Sequence, residues 1–397
     1  MSGAMRLSRH DVTLYASCLV FALDSIANYY FSIPVFVAST PLLTILALSC
    51  VRDRQRLLLT LIAIVLLIST FLINSARFGL SQDNVSDALF LILTFAYISA
   101  ASSGSASRSA ISTVTILFGL LFIPAFLGIN NNFGNDDALS SGSTDIEYLR
   151  AYRQGLYRLP HLAAYLLSFG AMWWFMRWEA DKKRITYAVV SAGFLLTCLY
   201  TGSRTPVFIF VIGFLLSFME LSIKKVAMLL IAICVLALAV TKIDDILQLT
   251  EGTFFYQYPS AVKTALTNFE RLSRFMIWSS WYEAMGSFRL EDYAFGRSFA
   301  QSLEYNRIHL GNAIWFHNDF LSIIYSYGVP VFLIYAWMLI GATRKLAKGS
   351  FTRGSTMLVT FILGSGFING FYKYLPVVFL LTLSYWHFID KRPDGRD

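Results

Sequence analysis

RDRQRLLLTLIAIVLLISTFLINS (residues 52–75) sets three arginines before an uncharged run, 57–75. Coiled as a helix at about 1.5 Å per residue, that run matches the hydrocarbon thickness of a bilayer. The pattern recurs along the whole chain. Of its 397 residues 56% are hydrophobic and only 14% are charged, where a soluble domain carries about a quarter charged residues. Twelve spans are predicted, near 11–29, 33–51, 57–75, 86–101, 109–129, 159–177, 185–201, 206–221, 225–241, 319–341, 354–371 and 375–390. Asp24 and Asn28 interrupt the first. Backbone in lipid must satisfy its own hydrogen bonds, so these spans are helices. The alternating segments of about ten residues that mark a membrane barrel are absent. The expected fold is an all-α integral membrane protein of about 12 transmembrane helices. It forms a single membrane domain over 1–397, with two long loops at 130–158 and 242–318.

The basic residues fall in short clusters between spans, which excludes nucleic acid as the partner despite a net charge of +8. They orient the chain instead. Arg6 and Arg9, RDRQR (52–56), Arg108, RWEADKKR (177–184), Lys224 with Lys225, TRKLAKGSFTR (343–353) and the KRPDGRD tail share one side. That side holds nineteen of the 32 Lys and Arg, so both termini are expected in the cytoplasm and the long loops outside. Cys18, Cys50, Cys198 and Cys234 sit in apolar spans without CxxC spacing, which reads as small core residues with neither disulfide framework nor metal site. Met1–His10 reads as a short basic tail, without a cleavable signal pattern.

Four outward stretches carry chemistry. RAYRQGLYRLPHLAAYL (150–166) leads through Arg150, Arg153 and Arg158 into a span, with His161 after a helix-starting Pro160. TGSRTP (201–206) places Arg204 in a short outer turn, against the charge bias. NFERLSRFMIWSSWYEAM (268–285) spaces Arg271, Arg274, Trp278 and Trp281 along one helix face. WFHNDFLSIIYSYGVP (315–330) puts His317, Asn318 and Asp319 at the mouth of a span. Each has a plainer reading. Arginines at a bilayer bind lipid phosphate, tryptophans anchor at the interface, and Asn318 and Asp319 cap a helix.

Taken together the stretches suggest more. Arginine forks suit phosphate oxygens and an indole suits a sugar face. A metal site would want a carboxylate pair with partners or a His/Asp cluster, and the sequence has no Gly-rich phosphate loop and no GxSxG. Glu291–Asp292 is an adjacent acidic pair in the larger loop, as is Asp244–Asp245. Outside the cytoplasm an activated sugar donor has to arrive on a lipid. Guanidinium groups can meet the charge of a departing diphosphate, and a histidine can take the proton of an acceptor hydroxyl. That is metal-free, inverting glycosyl transfer, with no cofactor.

TGSRTP, then SRFMIWSSWYEAM with FGRSF (273–285, 295–299), then HNDFLSIIYSYGVP (317–330) appear in the order and sidedness of a known group. The chain resembles the O-antigen ligase and O-antigen polymerase superfamily of bacterial polytopic membrane glycosyltransferases, over roughly residues 150–340. GLYRLPHLAAYL (155–166) is a fourth, looser match. Val331 stands where the family pattern has a second glycine, and FGRSF brings Arg297 as an extra cation. The resemblance implies the bacterial inner membrane, with the site and both long loops periplasmic and the larger loop helical. It implies His317 as base and Arg204 and Arg274 on the diphosphate. Arg271, Arg158, Arg297, His161, Trp278 and Asn318 complete the candidate substrate-binding set.

The implied partners are an undecaprenyl-diphosphate-linked glycan donor, a glycan or lipid A–core acceptor, membrane lipids and a chain-length regulator. Two activities fit this chemistry: a surface polysaccharide (O-antigen, capsule or exopolysaccharide) polymerase, and an O-antigen ligase acting on lipid A–core. A polytopic transporter is the remote alternative.

Overall fold

The computed structural model describes residues 7–31, 35–104, 106–129, 153–157, 160–181, 183–217, 243–251, 260, 263, 273–311, 313–347, 353–368, 370 and 372. Among them every regular element is a helix. In chain order these are α1 (Arg9–Phe31), α2 (Val35–Ser49), α3 (Arg54–Phe78), α4 (Gln82–Ser103), α5 (Arg108–Phe122, continued by a 3-10 turn, Ile123–Leu127), α6 (Pro160–Ala180), α7 (Ile185–Tyr200), α8 (Arg204–Ser217), α9 (Ile243–Thr250), α10 (Ser273–Gly286), α11 (Leu290–Phe295), α12 (Phe299–Leu310), α13 (Asp319–Ala347) and α14 (Arg353–Ile368). Four helical stretches are long and apolar enough to cross a membrane: Arg54–Phe78, Gln82–Ser103, Arg108–Leu127 and Asp319–Ala342. The expected spans at 225–241 and 375–390, and most of the loop 130–158, lie outside the described residues. The described residues of the larger loop include α9, α10, α11 and α12, joined by non-helical turns.

The chain divides into two compact units. One comprises residues 1–116, 277–350 and 366–397; the other comprises 117–276 and 351–365. In the first, α2 packs on α1 and α4, and α13 packs on α3 and α4. Small and hydroxylated residues seat these contacts: Ala63, Ala96 and Ala100 are buried, and Thr60 meets Ser99 at 2.5 Å. Hydroxyl pairs of this kind bridge helices where hydrocarbon offers no alternative partner. Asp24, which interrupts the first apolar run, has a local reason. Its carboxylate accepts from the Phe36 amide at 2.7 Å, at the start of α2.

In the second unit α6 packs on α7 and α8. Gly170 leaves room for the Phe194 ring. The turn after Arg153 returns to the end of α5: the Leu156 amide donates to the Leu121 carbonyl at 3.1 Å, and the Tyr157 hydroxyl to that of Phe118 at 2.6 Å.

Candidate functional site

The site-bearing helix of the first unit is broken. Inside α13, Gly328 stands at φ 80°, ψ 174°, and Pro330 follows. An unbroken helix would pair the carbonyls of Tyr325 and Ser326 with the amides four residues on. Pro330 has no N–H to give. The FGRSF loop takes over: the Arg297 amide donates to Tyr325 O at 2.7 Å and the Ser298 amide to Ser326 O at 3.2 Å. Asn74 of α3 donates to Ser326 O at 2.9 Å and to Phe295 O at 2.7 Å. The backbones approach closely because both sides carry glycine. A Cβ on Gly328 would lie 2.6 Å from Ala294 O, and one on Gly296 would strike the Ser326 carbonyl. Val331, at the family's second-glycine position, is buried in the helix that resumes after the break.

An ion cluster holds this loop down. Asp292 is buried, and it accepts from Arg77 Nη2 at 2.5 Å, from Arg297 Nε at 3.0 Å and Nη2 at 2.9 Å, and from the Arg289 amide at 3.0 Å. Burial pushes its carboxyl upward. The donors outweigh burial and hold it below the usual carboxylate range. Arg297 also donates to Ser287 Oγ and to Ser287 O, and lies 4.5 Å from the Phe288 ring centroid. The extra cation of the sequence pattern thus spends its guanidinium inside the protein. Arg77 and Asn74 were not legible as site residues. The available signal was a polar pair three residues apart at the end of an apolar span.

His317 sits at the mouth of α13 with φ 52°. It and Ser298 are the non-glycine residues with positive φ among the described residues. Such a conformation costs about 1–3 kcal/mol and persists only where surroundings over-determine it. The ring is buried, with its centroid 5.0 Å from that of Trp315. Asn318 caps the helix by accepting from the Leu321 amide at 3.0 Å, and it donates to Phe367 O at 2.8 Å. Asp319 turns inward, accepting from the Tyr335 hydroxyl and the Tyr372 amide, each at 3.3 Å. Tyr372 also donates its hydroxyl to Asp87 at 3.0 Å, and Tyr327 donates to Asp87 at 2.8 Å. Sequence reasoning missed this network. A carboxylate inside an apolar span, as at Asp87, was its one signal.

The tryptophan stripe of α10 packs inward as well. Trp278 lies edge-on to Phe367 with centroids 5.6 Å apart, and its buried indole N–H has no hydrogen-bond partner among the described residues. Trp281 donates to Leu321 O at 3.0 Å. Both pack on the cluster of Ile277, Ala284, Phe316 and Tyr325. The tryptophans of the third stretch and the fourth stretch therefore meet in one unit. Arg274 occupies the first turn of α10.

The first and second stretches meet in the other unit. His161 Nδ1 lies 2.5 Å from Ser203 Oγ, and the Arg153 amide donates to Thr201 O at 3.1 Å. Gly202 turns the chain with φ 75°, and Arg204 opens α8, half-buried. Arg158 and Arg271 lie outside the described residues. Among the described residues no three His, Cys, Asp or Glu side chains gather as metal ligands. Comparison of this chain with protein-family models and with curated proteins finds no match.

Proposed function

We propose that the chain is a bacterial surface-polysaccharide polymerase of the inner membrane, working at its periplasmic face. It transfers glycan from undecaprenyl diphosphate to a sugar hydroxyl in one inverting displacement without a metal. The observation that carries this reading is His317, a buried imidazole in a left-handed conformation at a helix mouth. Backbone strain of that kind concentrates at functional sites. In this role the ring takes the acceptor hydroxyl's proton, a contribution of about 10²–10⁴ in rate. Arg204 and Arg274 neutralise the leaving diphosphate. The first of them opens a helix, whose N-terminal amides favour an anion as well.

The broken α13 and the buried Asp87 and Asp319 are features a transporter would share. Here, however, the two carbonyls at the break already accept from residues 297, 298 and 74. They are not left to coordinate a cargo ion.

The test is complementation of cells lacking this gene with His317→Ala or Arg204→Ala at matched protein level, followed by electrophoresis of the surface polysaccharide. A polymerase predicts single repeat units where the wild type shows a ladder. A ligase predicts bare lipid A–core with polymer retained on undecaprenyl diphosphate. A wild-type ladder from both variants would overturn the site.

A further inference from the structure

We infer that the chain around Gly370 is the seat that positions His317, with Gly370 as its positioning residue; the inference rests on His317 serving as the base. Trp315, Asn318 and Asp319, around His317 at the helix mouth, each touch this one segment. Asn318 donates to Phe367 O, and Asp319 accepts from the Tyr372 amide. Gly366 brings its backbone against Asp319, where a Cβ would lie 3.4 Å from Oδ2. Trp315 lies directly on Gly370: a Cβ there would overlap the six-membered ring of the indole and come within 2.9 Å of Asp319 Oδ1. Gly370 itself has φ 73°, a conformation that side chains resist.

Trp315 packs both on Gly370 and against His317. His317 is held in a left-handed conformation that its neighbours must enforce. Any side chain at position 370 displaces Trp315, and through it the imidazole plane. A shift of about 1 Å in a reacting group costs on the order of 10²-fold in rate. Gly370 thus acts through Trp315 on the histidine and touches no substrate.

The experiment uses the full chain purified in detergent, with an undecaprenyl-diphosphate-linked glycan as donor. Gly370→Ala should lower kcat by about 10²-fold with KM unchanged. Trp315→Phe lacks the two ring atoms that the new Cβ meets, so the double variant should regain at least about tenfold over Gly370→Ala. A wild-type kcat for Gly370→Ala overturns the inference. So does a loss that follows the thermal unfolding midpoint and is not regained in the double variant. A second readout needs neither activity nor the glycine variant. Carbethoxylation of His317 by diethyl pyrocarbonate should be severalfold faster in Trp315→Phe than in wild type, and an unchanged rate overturns the seat. His317→Ala with wild-type kcat would instead remove the base assignment while leaving the labelling result standing.

Discussion

The mouth of α13 and the turn before α8 both set a histidine in a polar cluster, and they are held in different ways. At Ser203 the order is carried by a short turn: Thr201 ends α7, Gly202 reverses the chain, and one hydroxyl meets His161 at 2.5 Å. At His317 the order is carried by several separate segments at once. Asn74, Arg297, Ser298, Phe367 and Tyr372 supply donors and acceptors to residues 318–326. A turn held by few contacts closes at little cost in chain entropy, whereas a mouth gathered from several segments, one of them 252 residues away, is ordered only when many contacts act together. The first arrangement should tolerate a lost contact; the second should not.

The largest expected effect tests the second half of that contrast. Gly328→Ala places a Cβ against the Ala294 carbonyl at a positive φ. Backbone cannot yield as a flexible side chain can. The loss should be about 3 kcal/mol, seen as a lower thermal midpoint or as absent monodisperse protein in detergent. A stable variant would mean the loop and the break are independent.

Next comes Asp292→Asn, which removes the anion shared by Arg77 and Arg297. Breaking a fully buried pair costs about 3–5 kcal/mol. Both arginines keep roughly a quarter of their side-chain surface exposed, so about 2 kcal/mol is expected here. The same pair sets a pH dependence. Asp292 has a lowered pKa when folded, so its contribution is complete above the ordinary carboxylate pKa. That contribution is lost as pH falls through the lowered value. Thermal midpoints of wild type should drop on acidification below the ordinary range, and those of Asp292→Asn should drop less. Parallel curves would remove Asp292 from the account.

The smallest effect belongs to the turn. Ser203→Ala deletes one hydroxyl partner of His161 and should cost about 1 kcal/mol. Surface polysaccharide length should remain that of wild type. A collapse of the ladder would move His161 from a packed histidine to the chemistry itself, and the two histidines would then exchange roles.

Much of this protein was legible in its residues. Apolar runs separated by basic clusters specify helices of membrane length, because lipid leaves the backbone no other partner. The boundaries of α3, α4, α5 and α13 lie close to the runs that announced them. The polar stretches at 150–166, 201–206, 268–285 and 315–330 also stood out, since polar residues beside lipid need a reason. Periodicity could not say that Pro330 and Gly328 leave two carbonyls open, nor that FGRSF fills them. It could not show that Asp292, the second member of a bare acidic pair, binds two arginines at once. Nor could it seat Trp315 on Gly370. Local pattern records what each residue prefers of its solvent and its near neighbours. Which distant donor meets which acceptor depends on how the helices pack, and there the tertiary structure alone decided.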